Sequence, residues 1–137
     1  MKRILEYITS VLILAGCSGI SEEHVIGNYY LTEVDYVDEK RVLSFNLGSG
    51  NYVGVVGPTI LAVGYDDSFI IAKQLPSGKS TDKDKVYYFI IPLKSKIHHS
   101  PDENKIGPLT LNEFNKKRLE LGVSESLSFT RFFEQPK

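Results

Sequence analysis

Two short stretches constrain this fold more than anything else in the chain. Phe69-Ile70-Ile71-Ala72 and Val86-Tyr87-Tyr88-Phe89-Ile90-Ile91 are apolar at every position, and Ile60-Leu61-Ala62-Val63 is a third such run. Side chains alternate faces along a strand, so Phe69 and Ile71 point one way while Ile70 and Ala72 point the other. Tyr88 and Ile90 oppose Phe89 and Ile91 in the same manner. Strands apolar at both parities are covered on both faces. These strands are therefore expected in the middle of a sheet. The chain has one cysteine, so no disulfide can replace that packing.

The remaining elements follow from punctuation. Asp66-Asp67-Ser68 separates two of the apolar runs, and such residues favour turns by bonding nearby backbone amides, so residues 60–74 read as a hairpin. Residues 27–36, with Tyr29, Tyr30, Val34 and Tyr36, and residues 41–47 read as a first hairpin around Asp38-Glu39-Lys40. Gly48, Gly50, Gly54, Gly57 and Pro58 mark residues 48–58 as a loop or bulged connection. Residues 76–85 read as a charged loop, and Pro92 ends the strand over 86–91. Thr110 and Glu113 form a capping-box pattern, with Leu109 and Phe114 as a staple. Gly122 stops that helix, with Val123 against Leu119. Leu111, Phe114, Arg118 and Leu121 fall on one stripe. Arg118 either packs its stem with its head in water or pairs with a buried acid. Residues 124–133 read as a last strand or packed coil.

The fold class is thus α+β: an antiparallel sheet of five or six strands with one C-terminal helix packed on one face. One helix cannot cover both faces of so apolar a centre. The other face needs the first hairpin, the C-terminal segment or a partner.

The N-terminus carries an address. Lys2 and Arg3 precede the apolar stretch 8–14, broken only by Thr9 and Ser10, and Leu14-Ala15-Gly16 leads into Cys17. A positive start, a short apolar region and small residues at the cut make a secretory signal over residues 1–16. The apolar run is far short of the ~20 residues of a spanning helix. Leu14-Ala15-Gly16-Cys17 looks like the lipobox of bacterial lipoproteins. That likeness implies lipidation at Cys17 by a thioether-linked diacylglyceryl group and an N-acyl chain, palmitate among them. Each buried methylene adds ~0.8 kcal/mol, so two or three chains make a lasting anchor. Ser18 to Glu23 reads as a tether reaching about 20 Å. Residues 17–26 then form the lipidated cysteine and tether, and residues 27–137 a single domain. The expected location is the cell membrane or outer membrane, facing the periplasm or exterior. Ser18 is not the aspartate associated with inner-membrane retention, which points to the outer membrane in a Gram-negative source.

Net charge is −1, with no basic face implied, which argues against nucleic acid as a partner. Phosphate-loop readings fail at both glycine clusters. The first misses G-x-G-x-x-G, and Gly78-Lys79-Ser80 has Lys73 where a P-loop needs glycine. His98-His99 with Asp102-Glu103 contains zinc-ligand chemistry, but no regular spacing brings the group together. Asp66 and Asp67 could act as a carboxylate pair, although a hairpin turn accounts for them. No cofactor is expected. Tyr29, Tyr30, Tyr65, Tyr87 and Tyr88 are candidates for an interaction surface, because tyrosine buries a large ring while its hydroxyl finds a partner. The competing reading makes them β-formers in a half-buried sheet.

Several segments together carry a resemblance. They are the lipobox, Gly27-Asn28-Tyr29-Tyr30-Leu31, Ala62-Val63-Gly64-Tyr65-Asp66-Asp67, Phe69-Ile70-Ile71-Ala72-Lys73-Gln74, Tyr87-Tyr88-Phe89-Ile90-Ile91 and Ile106-Gly107-Pro108-Leu109-Thr110. With these the chain resembles a domain-of-unknown-function family of short bacterial lipoproteins. The resemblance implies one compact exported domain and assigns no activity. The functional expectation is a lipid-anchored, non-enzymatic binding module for an envelope or protein partner. The alternatives are a small envelope hydrolase using Asp66, Asp67 or the His98-His99 loop, and an immunity-like protein.

Overall fold

The computed structural model describes residues 21–35, 40–76, 85–97 and 99–133. Residues 1–16, expected to be a leader, and Cys17, Ser18, Tyr36 and His98 lie outside these residues. Two antiparallel sheets and one helix make up the described chain. The first sheet is a meander of β1 (Glu22–Ile26), β2 (Tyr29–Asp35), β3 (Lys40–Gly48) and β4 (Asn51–Val56), in that order. The second is ordered β8-β7-β6-β5-β9, from β5 (Ile60–Tyr65), β6 (Phe69–Gln74), β7 (Tyr87–Pro92), β8 (Ile106–Leu109) and β9 (Arg131–Phe132). A 3-10 turn, Pro101–Asn104, precedes β8, and α1 (Leu111–Leu121) follows it.

The three apolar runs are the three central strands of the second sheet, as their two-sided pattern requires. In the β6–β7 register Ile70 faces Ile91, Ala72 faces Phe89 and Ile71 faces Ile90. The first two pairs enter a core shared with Leu31, Leu43 and Val55 of the first sheet. The third enters a separate core with Phe114, Val123 and Leu127. The molecule is therefore layered: first sheet, second sheet, then helix and C-terminal coil. The cover for the face that the helix leaves open is the whole N-terminal meander.

The class and the C-terminal helix are as expected, with the strands spread over two sheets. Residues 22–26, read as the end of the tether, form β1. Glu22, Glu23 and His24 are exposed and only Val25 is fully buried, so this edge strand carries almost no apolar signal. The expected loop over 48–58 contains β4, with Gly48 pairing Asn51 across a tight turn. β8 was hidden by its own glycine and proline, and proline is tolerated there because β8 is an edge.

The helix obeys its caps. Thr110 Oγ1 accepts from Glu113 N, and Glu113 returns the bond to Thr110 N. Gly122 adopts φ 70°, and Val123 N donates back to Arg118 O at 2.9 Å. Phe114 is the one fully buried helical residue, worth roughly 1.5–3 kcal/mol. It stacks on Tyr88 and Phe129. Leu111, expected on the buried stripe, is 52% exposed. Arg118 follows neither expected course: its Nη2 donates to the carbonyls of Ser124 (2.9 Å) and Leu127 (2.6 Å), fastening the C-terminal coil to the helix.

Two cations secure open sheet edges. Arg131 Nη1 donates to Glu23 Oε1 and to the His24 carbonyl, both at 3.0 Å, holding β9 against β1. Lys105 Nζ donates to the Val55 carbonyl at 2.9 Å, holding the segment before β8 against β4. Occupied edges of this kind resist pairing with another chain.

Candidate functional site

The described chain enters the domain at one end of the first sheet, where Glu33 N donates to Ser21 O at 3.0 Å. Arg41 lies at this end too, its amide on Thr59 Oγ1 and its guanidinium 4.5 Å above the Phe133 ring. β1 leads away from it for five residues, roughly 15 Å. At the far end, the turns of both sheets enclose a cleft of about 400 Å³. Its lining includes Ile26, Gly27, Asn28, Tyr29 and Phe45 from the first sheet, and Asp67 with Pro92, Leu93, Ser95 and Ile97 from the second.

The aromatic and aliphatic part of the lining lies where the inward rows of both sheets end. Tyr29 and Phe45 meet edge to face with centroids 5.0 Å apart, and burial pushes the Tyr29 phenol above its ordinary range. Leu47, at the β-bulge that follows Phe45, is 59% exposed. Tyr65 (38%) and Ile97 (39%) are exposed at the same end.

The walls are fixed by hydrogen bonds to backbone carbonyls. Asn46 N donates to Asn28 O, and Leu93 N to Ser68 O, both at 2.8 Å. His24 Nε2 donates to Gly27 O at 2.8 Å. Asn104 Nδ2 reaches the Lys96 carbonyl at 3.4 Å.

The two aspartates are separated by role. Asp66 Oδ1 accepts from Ser68 N and Phe69 N, both at 2.8 Å, so its carboxylate closes the hairpin turn. Asp67 is exposed on the cleft wall and has no hydrogen bond or ion pair among the described residues. Asp66 is thus tied to the turn, while Asp67 faces the cleft. His99 is exposed, and Asp102 accepts from Ser100 Oγ. Among the described residues no group of three or more metal-ligating side chains converges.

The five candidate tyrosines do not share one face. Tyr29 is in the inter-sheet core and in the cleft floor. Tyr87 packs on the same core, whereas Tyr88 points to the helix and stacks on Phe114. Tyr65 stands at the cleft end of β5. Tyr30 lies on the outer face of the first sheet in a row with His24 and Tyr52, at 5.0 and 5.6 Å between centroids. The Tyr52 hydroxyl donates to Glu22 Oε2, and that bond, with burial and the nearby charge of Glu22, holds its pKa up at about 12. Sequence reasoning missed the cleft residues Asn28, Phe45, Leu93 and Ile97. The available signal was the apolar Leu93 and Ile97 just beyond a proline-ended strand.

Fold and site define a class: a small two-sheet domain with a pinned, partly apolar cleft at the end away from Ser21, where the described chain begins. Among the described residues no helix is long and apolar enough to cross a membrane. Residues 1–18 match the prokaryotic membrane lipoprotein lipid attachment site, so the protein is a membrane-anchored lipoprotein. Residues 26–133 match the family described as protein of unknown function (DUF3997), and the chain belongs to that family. No match is found among curated proteins or among solved structures.

Proposed function

We propose that this lipoprotein is a non-enzymatic binding module, anchored through acyl chains on Cys17 after removal of residues 1–16. It offers its cleft to a protein or envelope partner on the periplasmic or exterior side of the membrane. One observation carries the reading: the cleft opens at the opposite end of the domain from the point where the tether enters. A partner can therefore dock without displacing the domain from the bilayer. The cleft volume of about 400 Å³ falls in the range of small-ligand and side-chain pockets, roughly 300–1,000 Å³. Its floor is aromatic and aliphatic, and aromatic residues dominate binding energy at protein interfaces.

The test is affinity capture from detergent-solubilised envelope, with the native protein and a Leu93→Asp variant side by side. A partner retained by the native protein and lost from the variant is the expected result. Equal capture by both, or no specific capture, counts against the reading.

A further inference from the structure

We infer that the cleft takes a peptide segment of a partner protein in which an apolar side chain stands next to a lysine or arginine. This rests on the binding-module reading above and names the class of partner.

The argument is one of complementarity. Apolar groups make up the floor: Tyr29, Phe45, Ile26 and Leu93. Leu47 and Ile97 extend apolar surface beyond it, 59% and 39% exposed. With Tyr65 they make up half of the exposed large apolar side chains among the described residues, Leu111, Leu119 and Phe132 lying elsewhere, and adjoining exposed apolar groups are a feature of interaction sites. Asp67 is the one carboxylate in the lining, and among the described residues nothing pairs with it. Its neighbour Asp66 shows that the turn itself needs only one acid. The remaining polar lining, Asn28 and Ser95, is neutral. A cation held at the exposed Asp67 carboxylate gains from the charge while a neighbouring apolar side chain fills the floor. An acidic segment meets the same carboxylate as repulsion, which is how a site of this size discriminates.

The probes are two end-capped hexapeptides, one alternating leucine with lysine and the other alternating leucine with glutamate. Each is titrated against the full lipoprotein in zwitterionic nanodiscs, with empty nanodiscs as the lipid control. The readout is the methyl resonances of Ile26, Leu93 and Ile97. The lysine peptide is expected to give saturable shifts at these methyls with at least tenfold higher affinity than the glutamate peptide. Asp67→Asn should cut that preference to threefold or less while leaving the spectrum otherwise folded. Equal affinities, a preference that survives Asp67→Asn, or shifts elsewhere overturn the inference.

A photo-crosslinking residue placed at Ile97 in cells separates the two levels. A specific adduct without the charge preference removes the cationic-peptide assignment and leaves the binding module standing. An adduct with a second copy of this chain also removes it. Loss of both the adduct and the preference removes both readings.

Discussion

Gly64 sits in the middle of the second sheet at the point where the C-terminal coil crosses β5. A methyl group there meets Ser128 O at 2.0 Å, Ser128 C at 2.8 Å and Phe129 Cα at 3.2 Å. All three are backbone atoms, so no side chain can swing aside. An ordinary carbon–oxygen contact needs about 3.3 Å, so Gly64→Ala must push the coil back by more than about 1 Å. Thr130 N donates to Val63 O at 3.0 Å, and Phe133 N to Leu61 O at 2.8 Å, and the displaced coil strains both. Overpacking costs about 1–3 kcal/mol, and one weakened backbone bond adds about 1 kcal/mol. The sum, roughly 3 kcal/mol, lowers the melting temperature of a domain this size by about 12 °C. Thermal unfolding followed by circular dichroism measures it. Gly54→Ala is the control, because its nearest atom is Val42 Cγ1 at an ordinary 3.5 Å. It should stay within about 1 kcal/mol of the native protein. A Gly64→Ala protein melting within ~3 °C of native, under about 1 kcal/mol, would refute the close-approach argument.

Other variants address the anchor and the surface. Cys17→Ala should abolish acyl labelling and leave the chain uncleaved or released into the medium; a processed form still sedimenting with membranes contradicts lipidation at Cys17. Thr110→Ala removes one half of the capping box and should cost about 1 kcal/mol in a denaturant melt, and no measurable change would mean the cap is idle. Tyr52 holds its proton more tightly folded than unfolded, so its contribution is complete below pH 10 and fades as pH rises through about 12. Tyr52→Phe should remove the latest phenol step from an ultraviolet absorbance titration; an unchanged late step places that proton elsewhere.

The central strands were legible because burial on both faces leaves an unbroken apolar run, and no other element of this length does. The capping box and Gly122 were legible because local backbone bonds demand particular residues. β1 was not, since an edge strand with exposed Glu22, Glu23 and His24 needs little apolar content to pair. β4 was not, because its glycine was read as a breaker where the sheet tolerates it. The division into two sheets was only implied: two-sided strands require a cover, and nothing local says that residues 22–56 supply it. The cleft was less legible still. It arises where turns distant in sequence, at 27–28, 66–68 and 92–97, end at the same level. That is a property of strand lengths and sheet stacking, and no motif encodes it.

Pairing β1 from residue 22 onward alters the reach of the anchor. If the tether ran freely to residue 26, the domain could turn over and present any face to solvent. With β1 hydrogen-bonded to β2, the four-residue step from Cys17 to Ser21 can span at most about 14 Å. Under the proposed anchoring at Cys17, the end carrying Ser21, Glu33 and Arg41 would lie nearest the bilayer. In that proposed arrangement β1 would act as a spacer that carries the cleft roughly 15 Å further out. Lengthening the tether would loosen that orientation without touching the cleft, whereas unpairing β1 would disturb both, because Ile26 and the Gly27-Asn28 turn that line the cleft are the continuation of the same strand.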